Sequence, residues 1–342
     1  MENFKPNIRL EHIFSQIQPD AIFVLTDENT HKFCLPLLKH DLQNVDYKEI
    51  IIAAGDNHKN VKTLTDIWQF FAENYASKKS LLLNVGGGMV CDIGGFAAAT
   101  FKRGMPFVNI PTTLLAAVDA SFGGKTGINF NGIKNEIGIV VQPEQTLFNT
   151  IFFRTLDKEN LLSGFAEMIK HSLLSSYELL EETLNFDIDK FDITELEPLM
   201  KNNIIFKQNI INQDFKEHDV RKILNFGHTF GHGFETFFAE TKPVLHGCAI
   251  AWGIICELYL SLLKLNFPKD ILLKINYLIK TNYGKPEILR KNYDTLYKIM
   301  LHDKKNSAQA INFVLLTDVG QPKIDCRATK NEIFECLDFL RE

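Results

Sequence analysis

The sequence has no Cys-x-x-Cys pair, no low-complexity tract, no internal repeat and no excess of positive charge, and each absence removes a class of function. Its six cysteines (Cys34, Cys91, Cys248, Cys256, Cys326 and Cys336) are irregularly spaced. Neither a disulfide framework nor a structural zinc knuckle is therefore expected, and a reduced cytoplasmic protein is. A formal net charge of -5 argues against a nucleic-acid surface. Charged residues stand ahead of any apolar run at the N-terminus, unlike a secretory signal. The longest apolar stretch, Ala249 to Leu263, is interrupted by Glu257 and is short for a membrane span, so no membrane partner is expected and the stretch reads as a buried helix.

What is present is an ordinary globular composition, 45% hydrophobic and 23% charged, which excludes disorder and fibre. A chain of 342 residues exceeds what one core usually supports, so two packed regions with a ligand cleft are expected. From Ala21 to about Asn149, short aliphatic runs (Ala21 to Leu25, Glu49 to Ala53, Leu81 to Val85, Phe107 to Ile110) alternate with helical stretches such as Val61 to Asn74. That rhythm predicts an α/β, Rossmann-like N-terminal domain with a parallel sheet over residues 1–156. Longer apolar-periodic segments follow: Lys158 to Leu184, Leu196 to Gln213, Thr229 to Ala239, Gly247 to Leu265 and Lys269 to Tyr283. They predict a mostly α-helical domain over 157–342, closed by a hairpin of Ile311 to Leu316 and Pro322 to Asp325 about an Asp318-Val319-Gly320 turn.

Gly86-Gly87-Gly88 follows the run Leu81 to Val85 and precedes an apolar helix. Backbone amides at such a turn can approach a pyrophosphate, and the helix dipole favours its charge. The turn is not a full dinucleotide fingerprint, because Cys91 stands where the third glycine belongs, and a tight turn without a ligand fits equally. Gly123-Gly124-Lys125-Thr126 imitates the end of a phosphate loop, but Asp119 occupies the place of the required first glycine, which excludes a nucleoside-triphosphate site. His228 and His232 lie four residues apart on one helical face, His246 opens a later helix, and Glu167 sits on an otherwise apolar helix with His171 on the same face. A carboxylate there needs a partner, and a metal is one. Spacing does not choose between Glu167 and His171, nor between a ligand pair and a structural pair of histidines. Arg103, Lys125, Lys134, Lys170, Lys207, Arg221, Lys304 and Lys305 lie in or beside these segments. Glycine or apolar neighbours favour anion clamping by several of them over a solvated surface.

Over nearly its full length the chain resembles the 3-dehydroquinate synthase family. The resemblance is carried by GGGMVCDIGGFAAATFKRG, PTTLLAAVDASFGGKTGIN, KNEIG, SGFAEMIKH, RKILNFGHTFGH, VLHG and HDKKN, in that order. It implies a divalent zinc or cobalt ion on Glu167, His228 and His246, with His171 a bystander and His232 handling protons. It implies a substrate pocket of Asp119, Lys125, Asn135, Lys170, Lys207, Arg221, Asn225 and one of Lys304 and Lys305, with Arg103 reaching the phosphate across a homodimer. For the cofactor NAD it implies Asp27, Asn29, Asp56, Lys59, Gly87, Gly88, Asp92, Thr112, Thr113, Asp119, Lys125, Lys134, Thr155 and Leu156. Three positions depart from the family's glutamates: Asp56 keeps the charge, whereas Asn160 and Cys248 do not, which bears on tuning around the ligands. The activity implied is conversion of 3-deoxy-D-arabino-heptulosonate 7-phosphate to 3-dehydroquinate and phosphate. Its steps are transient oxidation by NAD, phosphate elimination, reduction, ring opening and an intramolecular aldol. A metal-dependent alcohol or glycerol dehydrogenase would pair a similar glycine turn with a helical metal domain, but has little use for so many cations. Another sugar-phosphate cyclase is a nearer alternative, and a ligand-binding scaffold without turnover would be expected to have lost a ligand position.

Overall fold

Four aliphatic runs of the first half assemble into one parallel sheet, because strands buried on both faces can be apolar throughout. The computed structural model describes residues 10–131, 133–239, 241–301 and 311–342, in two compact units, Met1–Asp157 and Lys158–Glu342. The first runs α1 (Leu10–Ile17), β1 (Ile22–Asp27), α2 (Glu28–Phe33), α3 (Lys39–Leu42), β2 (Tyr47–Ile52), α4 (Val61–Glu73), β3 (Leu81–Gly86), α5 (Gly88–Thr100), β4 (Phe107–Pro111), β5 (Lys125–Phe130), β6 (Ile133–Val140) and β7 (Gln145–Thr146). The sheet order is β2-β1-β3-β4-β7, with every pairing parallel. Phe23, Leu25, Ile67, Phe71, Leu82, Ile93 and Phe107 are core residues of this unit. After β1 the chain steps outward to β2 and then returns to β3 on the other side, so β1 and β3 flank a topological switch point.

β5 and β6 form a separate antiparallel hairpin that the sequence reading did not anticipate. The signal was present: Asn131-Gly132 between alternating apolar residues is a strong hairpin mark.

The second unit contains α6 (Lys158–Ser175), α7 (Tyr177–Asn185), α8 (Ile193–Gln213), α9 (His228–Phe238), α10 (His246–Leu265), α11 (Lys269–Tyr283), α12 (Tyr293–Leu301), β8 (Asn312–Asp318), β9 (Gln321–Arg327) and α13 (Lys330–Arg341). The segment expected as one helix from Lys158 to Leu184 is two, because Ser176 leaves the helical conformation and its Oγ accepts the Leu179 N–H, capping α7. β8 and β9 pair as the expected hairpin, turning at Val319 and Gly320. α10 is long and apolar enough to cross a membrane by composition. It packs instead against α6, α9, α11, α13 and β8, the central helix of this unit.

Candidate active site

α9 and α10 each begin on a histidine. Gly227, the residue before His228, takes a left-handed φ of 79°, and a Cβ there would lie 2.7 Å from Ile254 Cγ1. Only glycine enters α9 this way without strain. At the start of α10, Gly247 lies so close to α6 that a Cβ would stand 2.0 Å from the Ser163 carbonyl oxygen. Its N–H donates to Ser163 Oγ at 3.1 Å. That contact brings His246 beside Glu167, one turn further along α6.

Glu167 is wholly buried, and its Oε1 lies 3.6 Å from His228 Nε2 and 3.4 Å from His246 Nε2. Both imidazoles therefore turn the same nitrogen toward one carboxylate oxygen. Their other nitrogens are held: His228 Nδ1 donates to the Phe226 carbonyl at 3.0 Å, and His246 Nδ1 lies 3.3 Å from Glu235 Oε2. Two donors each bonded to a tetrahedral zinc stand about 3.4 Å apart, so this donor set fits one divalent ion. One ligand atom from each of the three residues lies within 4.8 Å of the others. Burial works against a charged His246, yet Glu235 and Glu167 outweigh it and push its pKa up to about 10. The cluster is thus built to stabilise positive charge. Glu167, rather than His171, completes this group; His171 is buried on the same helix beside Phe206 of α8. His232 stands next to the three, its ring 5.4 Å from that of His228 and 6.3 Å from that of His246.

Lys170, Lys207 and Arg221 are buried. A buried cation is costly unless an anion meets it. Lys170 Nζ pairs with Glu167 Oε2. Arg221 lies in a 3-10 turn, Val220–Asn225, where its guanidinium Nη1 donates to the Phe215 carbonyl at 2.5 Å and its backbone N–H to Asp214 Oδ2 at 3.1 Å. Asn225 Nδ2 donates to Glu217 Oε1 at 2.7 Å. α8, which carries Lys207, and this turn both pack against α6. The sequence reading missed three acids here, Glu217, Glu235 and Glu257. The last was visible as the one charge in an apolar stretch, and a buried acid always needs an explanation. At Cys248, where the resemblance implied a glutamate, the thiol faces the Tyr283 carbonyl, and burial pushes its pKa up to about 11. No negative charge stands there near neutral pH. Asn160 lies near the start of α6, partly buried.

In the first unit several residues expected at the cofactor, Asp27, Asp56, Lys59, Gly87, Gly88, Thr112 and Thr113, lie at or just after the carboxyl ends of β1 to β4. Asp27 ends β1 and caps α2, accepting the Thr30 N–H at 2.8 Å, and Asn29 lies in the first turn of α2. Asp56 and Lys59 follow β2. Gly87 and Gly88 follow β3, and Gly88 opens α5 without a side-chain cap. Thr112 and Thr113 follow β4; the Thr112 N–H donates to the Gly86 carbonyl at 3.0 Å, and a Cβ on Gly87 would lie 3.2 Å from Thr113 Cγ2. The edge of an open parallel sheet beside its switch point is where ligands bind, and the α5 N-terminus there suits an anion. Lys59 Nζ donates to Asp92 Oδ2 at 2.6 Å and also to Asn135 Oδ1. Asn135, expected with the substrate, thus shares a cluster with two residues expected at the cofactor. Burial pushes the Asp92 carboxyl up, against the pull of Lys59. Lys134 Nζ lies 3.5 Å from Asp56 Oδ2.

Thr155 Oγ1 donates to the Phe152 carbonyl at 2.7 Å, and Leu156 ends the same 3-10 turn. Asp119 lies in a single π turn, Ala116–Ala120, and Lys125 opens β5. Gly123 and Gly124, at φ 85° and 66°, lead into a strand rather than a helix, unlike a phosphate loop. Arg103 is exposed at φ 68° next to Lys102 at φ 48°, a pair of uncommon left-handed conformations. Lys304 and Lys305 lie outside the described residues.

Residues 49–163 match the family model for 3-dehydroquinate synthase N-terminal, and residues 164–306 that for 3-dehydroquinate synthase C-terminal. A 3-dehydroquinate synthase of Parabacteroides distasonis is 46% identical over 334 residues, covering 97% of this chain and 95% of that one. Among solved structures, 2-deoxy-scyllo-inosose synthase complexed with carbaglucose-6-phosphate, NAD+ and Co2+ aligns with a TM-score of 0.83 at 22% identity, over 97% of this chain and 94% of that one. The 2-epi-5-epi-valiolone synthase of Streptomyces hygroscopicus, with NAD+ and Zn2+ bound, aligns with a TM-score of 0.83 at 22% identity, over 98% and 95%. These two show a common fold. Matches to both halves of the family, together with close identity over almost the whole chain, make this chain a member of the 3-dehydroquinate synthase family.

Proposed function

We propose that the chain converts 3-deoxy-D-arabino-heptulosonate 7-phosphate to 3-dehydroquinate and phosphate in the shikimate pathway, using NAD and one zinc or cobalt ion per subunit. The observation that carries this reading is the meeting of Glu167 Oε1 with the Nε2 atoms of His228 and His246, next to the buried Lys170. When bound, NAD takes and returns a hydride while the cation polarises the hydroxyl being oxidised.

The chain's own residues do the rest. Glu167, His228 and His246 hold the cation, and His232 accepts the hydroxyl proton. Lys170, Lys207, Arg221 and a lysine of the Lys304-Lys305 pair, with Asn225, hold the substrate's phosphate and carboxylate, where fixed positive charge stabilises the negative charge that develops as phosphate leaves. Asp27, Asn29, Asp56, Lys59, Gly87, Gly88, Asp92, Thr112, Thr113, Lys134, Thr155 and Leu156, with Asp119 and Lys125, bind the dinucleotide along the carboxyl edge of the sheet. The cyclases that make inosose and valiolone share the fold, and the combination of Asn135, Lys170, Lys207, Arg221, Asn225 and His232 favours the dehydroquinate reaction over theirs.

Supplying the heptulosonate phosphate with zinc and a trace of NAD tests the reading. Phosphate should appear in many-fold excess over NAD with no net rise in nicotinamide absorbance. Stoichiometric NADH from a simple alcohol would instead identify a dehydrogenase.

The active form is a cytoplasmic homodimer in this reading, with Arg103 serving the neighbouring subunit's phosphate. Supporting this, β6 is exposed along its length, presents Ile133, Ile137, Ile139 and Val140 to solvent, and among the described residues pairs only with β5. An apolar strand with an open edge usually finds a partner. Sedimentation should give about twice the 39.1 kDa chain mass, and a monomer at assay concentrations would remove the intersubunit role of Arg103.

A further inference from the structure

α9 and α10 each carry, besides a metal-site histidine, a buried glutamate. Glu235, two turns into α9, has a side chain only 5% exposed, and its Oε2 lies 3.3 Å from His246 Nδ1 at the start of α10. Glu257, three turns into α10, is wholly buried. Its Oε2 accepts the Gly227 N–H at 2.8 Å and its Oε1 the Thr229 N–H at 3.2 Å, the two amides that flank His228. The first amides of a helix have no partner within it, and Gly227 offers no side-chain cap. Glu257 therefore caps α9 from the neighbouring helix.

We propose that the two helices brace each other's metal ligand: Glu235 of α9 orients His246 of α10, and Glu257 of α10 holds the backbone that presents His228 of α9. The proposal rests on the metal centre described above and adds two positioning residues to it. Charge is the reason to assign more than a packing role. Burying a carboxylate is costly, and a neutral group of the same shape often serves folding as well or better. A carboxylate on the far nitrogen of a ligand imidazole makes the near nitrogen a stronger donor and fixes its direction. At α9 the two charge-assisted bonds from Glu257 hold the backbone on both sides of His228 and offset the positive end of the helix, which faces a cation site.

The test uses full-length protein, stripped of metal with a chelator and titrated with cobalt(II), reading the visible absorption of the bound ion. Glu235→Gln keeps the shape and a hydrogen-bond acceptor but removes the charge. It should lower cobalt affinity about 10- to 100-fold and alter the absorption bands, while the melting temperature of the stripped protein stays close to wild type. Glu257→Gln should lower affinity at least about tenfold; if it does not fold, the Glu235→Gln result decides. Wild-type affinity and spectrum in both variants would overturn the brace and leave the metal centre standing. Affinity lost only in step with folding stability would also overturn it, as a structural effect. A wild-type protein that takes up no cobalt would overturn the metal centre and the brace together.

Discussion

His246→Ala is expected to lower turnover by about a thousandfold or more, because polarisation of a substrate oxygen by a bound cation is worth several kcal/mol. The substitution removes one of the two Nε2 donors facing Glu167 Oε1 and leaves a carboxylate and a single imidazole, too few to hold the ion firmly. The fold should survive, since the His246 side chain is 28% exposed at the end of its helix and fills little of the core. Circular dichroism should therefore match wild type while phosphate release is lost. The decisive comparison is with wild-type protein dialysed against a chelator. Wild type should recover activity on adding zinc or cobalt, and His246→Ala should not at the same concentrations. Full wild-type activity in metal-free buffer would refute the role given to all three ligands.

Gly247→Ala should act through the backbone instead. Its Cβ would stand 2.0 Å from Ser163 O and 2.4 Å from Ser163 Cα, distances that no rotamer change relieves because every colliding atom is main chain. α10 must back away from α6, which weakens the Gly247 N–H to Ser163 Oγ bond and carries His246 away from Glu167. Overpacking of this kind costs about 1–3 kcal/mol, and a shift of even 1 Å in a ligand is enough to spoil a metal site. The expected result is a melting temperature lowered by about 1–4 °C together with a clear loss of metal affinity. Gly284→Ala is a useful control, because a Cβ there meets nothing within 4 Å, although its φ of 65° adds local strain. An unchanged metal affinity in Gly247→Ala would show that the α6–α10 contact does not set the ligand geometry.

These two substitutions also mark the limit of what could be read without a structure. The alternation of aliphatic runs with helical stretches was legible because buried parallel strands and amphipathic helices leave different local periods. The glycine turn after Val85 was legible for the same local reason. Glu167 and His171 were not separable, since residues four apart share a helical face and spacing carries nothing more. The difference arises where α10 meets α6 at Gly247 and Ser163, 84 residues apart in the chain. Glu235 and Glu257 were illegible as supports, because Glu257 finds its partners 28 and 30 residues away, across a helix packing that local pattern does not encode. The break at Ser176 was missed although serine favours a helix start, because the apolar period runs through it.

By itself the sequence determined the broad order, a parallel sheet followed by a helical bundle, and the stock of chemically able residues, since these follow from local periodicity and residue type. Tertiary structure alone decided which of those residues meet. It turned two imidazoles to one carboxylate oxygen and set one buried acid behind one ring and another at the amides beside the other, because ligand geometry depends on contacts of a few ångströms between helices that are distant in the chain.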